Sequence, residues 1–118
     1  VPASSRAREL AQIAAKAALE KLASDVLIID VSDKFPLSDM FVIASGQNTR
    51  QVSSIVDEIE KELLKLKVKS IRKEGTSESQ WILLDFSEII VHVQLAENRE
   101  LYALERLWKD CPIEVVSG

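Results

Sequence analysis

"WILLDFSEIIVHVQ", residues 81–94, alternates like two β-strands that meet at a short turn. One alternate set, Ile82, Leu84, Ile89, Val91 and Val93, is purely apolar and must face a core. The other set contains Trp81, Leu83, Asp85, Glu88, Ile90 and His92, which does not read as ordinary solvent surface. Strands 81–85 and 88–94 are close enough to pair as a hairpin. With an even loop centred on Phe86 and Ser87, Trp81 is expected opposite His92, Leu83 opposite Ile90, and Asp85 opposite Glu88. All six then share one face, because side chains alternate along each strand.

Working outward, residues 49–66 are the clearest helix. Val52, Ile55, Val56, Ile59, Leu63 and Leu66 form one stripe, with charged residues between them. Asn48 or Thr49 is placed to cap it, and Gly46 is expected to turn the chain off the preceding strand. Residues 5–22 form a second helix on Leu10, Ile13, Ala14 and Ala17. A third is expected from about 97 to 109, with Leu101, Leu104, Leu107 and Trp108 inward. "DVLIIDV" (25–31) and "MFVIAS" (40–45) are strands, joined by the loop "SDKFPLSD". "KSIRK" (69–73) is a short strand near an edge, and the tail "CPIEVVSG" is extended. The order α-β-β-α-β-β-β-α predicts an α/β (α+β-like) two-layer domain: a mixed five-stranded sheet with helices on one face. Three helices are too few to cover both faces, so the Trp81 face is expected bare.

The 118 residues fit a single domain, with roughly 65% of the unfolded chain's surface buried. At 47% apolar and 29% charged, the composition is that of a soluble globular protein. Apolar runs fall far short of the ~20 residues that span a bilayer, and no export leader is recognisable. The single cysteine, Cys111, allows no internal disulfide and suits a reducing compartment. A net charge of −4 argues against broad binding to DNA or another phosphate backbone, and favours a basic protein as partner.

Chemistry finds little footing. His92 is the only histidine, no G-x-S-x-G elbow accompanies it, and one His with one Cys does not make a metal site. Asp85 and Glu88 read as the polar ends of a hairpin rather than a catalytic pair. "SGQNTRQ" puts one glycine before a helix N-terminus, a strand-to-helix turn in which Arg50 could meet an anion. Lys61, Lys65, Lys67, Lys69, Arg72 and Lys73 read as a solvated helix end and edge strand, so contact with RNA is expected to be minor if any. Tyr102 lies with Arg99 and Arg106 in a row beside the buried stripe of the last helix, where it extends the Trp81 patch. Aromatics and arginines dominate protein interfaces. A cover made of another protein is the expected occupant of that patch.

Three blocks, "DVSDKFPLSDMFVIASGQNTRQV", "EGTSESQWILLDFSEIIVHV" and "RELYALERLW", resemble the Iojap or ribosomal silencing factor family over about residues 8–112. The resemblance implies a nucleotidyltransferase-like topology. It also implies a translation repressor that binds the fourteenth protein of the large ribosomal subunit and sterically blocks joining of the small subunit when nutrients are scarce. In the family's W-x-L-L-D and R-x-L-Y motifs, Trp81 and Tyr102 are the leading contacts. Leu83 and Ile90 extend the patch, with Asp85, Glu88, His92 and Arg99 as its polar rim. No cofactor or metal is implied, the expected setting is the bacterial cytoplasm or an organelle, and a homodimer through the same patch is expected of the free protein. Two departures stand out: Ser38 where a threonine is usual before Asp39, and Ser87 where the hairpin often has glycine. The rival reading, a metal-dependent nucleotidyltransferase, lacks its Gly-Ser pair, here reversed as Ser45-Gly46, and its D-x-D carboxylates.

Overall fold

A computed structural model describes residues 5–32, 39–75, 80–96 and 111–116. In chain order these form α1 (Ser5–Glu20), β1 (Ser24–Asp30), β2 (Met40–Gly46), α2 (Thr49–Leu64), β3 (Arg72–Glu74), β4 (Trp81–Asp85), β5 (Ile89–Leu95) and β6 (Ile113–Val116). The six strands make one mixed sheet in the order β3-β4-β5-β2-β1-β6. Only β2 and β5 run parallel; the other neighbours are antiparallel. The expected five strands become six because the extended tail pairs with β1, with Ile113 opposite Ile29 and Val116 opposite Val26. The third helix expected at 97–109 lies outside the described residues.

Both helices pack on one face. Val52, Ile55, Val56, Ile59 and Leu63 of α2 and the small residues Ala7, Ala11, Ala14 and Ala18 of α1 are buried. They meet Val26, Ile28, Val42, Ala44, Ile82, Leu84, Ile89, Val91 and Val93 in one core. The alanines let α1 sit close to α2 and β2. Asn48 caps α2, its side chain accepting the Gln51 N–H at 2.8 Å. Gln51 in turn donates to the Lys21 and Leu22 carbonyls, tying the end of α1 to the start of α2.

Each helix stops two residues before its expected end, and for the same reason. Leu22 (φ 63°) and Lys67 (φ 63°) adopt left-handed backbone conformations. Around Leu22, the Ala23 N–H reaches the Ala18 carbonyl and the Leu22 N–H reaches Leu19; around Lys67, Val68 reaches Leu63 and Lys67 reaches Leu64. These paired bonds close the last turn of a helix. Leu66 therefore leaves the stripe and is 40% exposed. The chain leaves β2 directly after Gly46, as expected, but without a left-handed backbone there; a Cβ on Gly46 would lie 3.1 Å from both the Val52 backbone N and its Cγ2, so glycine lets α2 approach the strand.

The hairpin register differs from the expected one. Trp81 pairs with Gln94, Leu83 with His92 and Asp85 with Ile90, so Asp85 and Glu88 do not oppose each other. The turn is centred one residue later, on Ser87 and Glu88, closed by the Phe86 N–H to Ile89 carbonyl bond. Ser87 takes φ 75°, and the Asp85 carboxylate accepts its N–H at 2.8 Å. The cause is Phe86, buried in the helix-side core, which a turn tip would have exposed. Because the slip is even in parity, every side chain keeps its expected face.

Candidate functional site

The face away from the helices is built from three cross-strand rows. Ile113, Ile29, Phe41, Ile90, Asp85 and Arg72 follow one another in the first. Val115, Leu27, Ile43, His92, Leu83 and Glu74 form the second. Ser24, Ser45, Gln94 and Trp81 form the third. This face is not bare, contrary to expectation. Its centre is closed: Ile29, Ile43, Phe41 and Ile90 form a second apolar cluster with Val31 and Cys111, and Ser45 and Gln94 are fully buried. Among the described residues, the return of the chain to β1 sets Cys111, just before β6, into the cluster with Ile29, Phe41, Ile43 and Ile90. Only the margins stay open.

Ile90 (8% exposed) and His92 (6%) thus lie inside the protein rather than on a contact surface. Trp81 and Leu83 sit half-buried at the β4 margin, packed against the second cluster. With Glu74 and Gly75 they line an open hollow of about 330 Å³. Gly75 is required there twice over. Its φ is 108°, and a Cβ would stand 3.0 Å from the Trp81 carbonyl oxygen. Asp85 and Glu88 are partly exposed near the turn. Tyr102 and Arg99 lie outside the described residues.

Trp81 is held diagonally. Across the register from Gln94, its indole reaches the neighbouring row, and Nε1–H donates to Nδ1 of His92 at 3.3 Å. The His92 ring meets Phe41 edge-on, with centroids 5.1 Å apart at 65°. Burial pushes the His92 imidazole from 6.5 down to about 4, so it is neutral at pH 7. A base that weak, with one nitrogen engaged by an indole and Nε2 buried without a hydrogen-bond partner, is poorly suited to take protons from a substrate. Among the described residues, no three His, Cys, Asp or Glu come together as a metal site.

Sequence reading found Trp81 and its neighbours but passed over Phe41, Gln94, Glu74 and Gly75. Alternation alone places Gln94 on the Trp81 face, two residues beyond His92. The partners of Phe41, by contrast, depend on the parallel pairing of β2 with β5, which no local pattern encodes. The basic cluster is largely neutralised: Lys61, Lys65, Arg72 and Lys73 pair with Glu58, Glu62, Glu74 and Glu60. No described helix is long and apolar enough to cross a membrane.

Comparison with known proteins bears on this geometry. The chain is 33% identical to the ribosomal silencing factor RsfS of Bacillus subtilis over 106 residues, 90% of each protein. It is 36% identical over 89 residues to the mouse mitochondrial assembly of ribosomal large subunit protein 1, spanning 73% of this chain and 39% of that one. The crystal structure of protein CV0518 from Chromobacterium violaceum superposes with a TM-score of 0.82 at 28% identity, covering 94% of this chain and 92% of that one. The family described as "Ribosomal silencing factor during starvation" matches residues 4–117, and the chain belongs to that ribosomal silencing factor family.

Proposed function

We propose that this protein represses translation by docking the Trp81 margin of its sheet on the fourteenth protein of the large ribosomal subunit. Its bulk then keeps the small subunit from joining, lowering translation under starvation. The observation that carries this reading is the partly exposed Trp81 beside Leu83 and the Gly75 hollow. Among the described residues the centre of the outer face is buried and the β6 margin carries only aliphatic side chains, so the Trp81 margin is the one that offers an aromatic side chain to a partner. Leu83 extends the contact, Asp85 and Glu88 form its rim, and Tyr102 and Arg99 join through the family's R-x-L-Y motif. Ile90 and His92 drop out of the contact set because they are buried. A second copy bound at the same margin would compete with docking.

Steric occupancy needs no catalytic group, and a net charge of −4 favours encounter with a basic ribosomal protein. Trp81→Ala and Tyr102→Ala are each expected to weaken binding to large subunits by about 2 kcal/mol or more, with the fold intact by circular dichroism. Co-sedimentation with large subunits that contain or lack the fourteenth protein checks both parts. Wild-type co-sedimentation of both variants, or undiminished binding to the depleted subunits, would count against the reading.

A further inference from the structure

We infer that His92 is a positioning residue for Trp81: its Nδ1 holds the indole N–H so that the ring is oriented before a partner arrives. The inference rests on the docking role proposed for Trp81 and explains why a buried polar ring stands next to that side chain. His92 is shut off from solvent, so it touches no partner directly. Its one side-chain hydrogen bond is accepted from the indole N–H of the partly exposed Trp81, 3.3 Å away. On its other side the edge-on contact with Phe41 fixes the imidazole plane. Because Nδ1 accepts, the neutral ring carries its hydrogen on Nε2, which is buried without a partner. An apolar ring would avoid that orphaned donor, so His92 is a poor choice for packing alone. What it supplies is an acceptor aimed at Trp81. An indole fixed in advance loses less side-chain freedom on binding, which strengthens the complex without any new contact.

This separates stability from binding, and two substitutions exploit the difference. His92→Phe keeps a buried ring and removes the acceptor. It is expected to fold at least as stably as the wild type, yet to bind large subunits about fivefold to tenfold more weakly. His92→Asn retains an acceptor near the Nδ1 position but leaves a cavity; it is expected to be less stable and to keep affinity within about twofold of wild type. In ¹⁵N spectra the Trp81 indole N–H, assigned through Trp81→Phe, should lose protection from solvent exchange in His92→Phe and keep it in His92→Asn. In a Trp81→Phe background, His92→Phe should weaken binding no further.

Unchanged indole protection in His92→Phe, alongside weakened binding by Trp81→Ala, would overturn the inference alone. So would an equal loss of affinity from His92→Phe in the presence and absence of the indole. Unchanged affinity of Trp81→Ala would overturn the docking reading itself, and this inference with it.

Discussion

At neutral pH the imidazole of His92 is an uncharged ring inside a sheet face, and that makes the fold sensitive to acid. Desolvation holds its pKa near 4 in the folded protein, against 6.5 when exposed. As pH falls through 6.5 the unfolded chain takes up a proton that the folded chain refuses until about 4. Stability attached to this residue is therefore complete above 6.5 and is lost progressively down to about 4, by roughly 3 kcal/mol in all. His92→Phe removes this component, so urea unfolding of the variant and the wild type should diverge as pH drops from 7 to 4, with the wild type losing more. Parallel curves would contradict the assignment. At this scale the sequence was readable where a rule of parity applied. Trp81 and His92 share a face in any even-looped hairpin, and the indole finds the imidazole even though their strands pair one step away from the expected register. What parity could not supply was depth. Nothing in "IIVHVQ" tells whether the alternate face is open or closed, because that depends on residues brought back from the far end of the chain.

At the scale of elements, the helix stripes were legible and the helix ends were not. The 3.6-residue spacing in α2 fixed its inward face from Val52 to Leu63. Its end carries no glycine, the residue that ordinarily marks a left-handed cap, and neither does the end of α1. Leu22 and Lys67 occupy those caps instead, each with a side chain that the left-handed backbone disfavours. Leu22 is also 82% exposed, so its side chain contributes little packing in return. Leu22→Gly and Lys67→Gly should each raise stability, by about 0.5–1 kcal/mol after allowing for the greater freedom of glycine in the unfolded chain. The same substitution at Lys65, which has φ −60° at the α2 C-cap, should not help. Thermal melts of the three variants check this; a lower melting temperature for Leu22→Gly or Lys67→Gly would refute the cap assignment.

For the whole molecule, the decisive event is the return of the chain to its first strand. β1 has β2 on one side and β6 on the other, so a segment near residue 30 is completed by one beyond residue 112. The Asp30 N–H donates to the Pro112 carbonyl at 2.9 Å, and the Gln12 amide of α1 reaches the Glu114 carboxylate at 3.1 Å. Cys111 joins the outer cluster through the same return. "PIEVV" gave little warning of this, being short, carrying a proline and lacking strict alternation. The contribution of β6 lies more in its backbone than in its side chains, since Val115 is 72% exposed. Ile113→Thr with Val115→Thr should thus change stability by less than about 1 kcal/mol. A chain ending after residue 110 loses the pairing altogether and leaves β1 as an unpaired edge rich in Val and Ile. That chain should unfold at least about 3 kcal/mol more easily, since several backbone hydrogen bonds at about 1 kcal/mol each disappear with the Cys111 packing. It should also associate on standing, as exposed apolar edges do. Urea unfolding and light scattering of the two proteins separate backbone closure from side-chain burial: equal stability of the truncated chain, with no aggregation, would mean that β1 does not need β6.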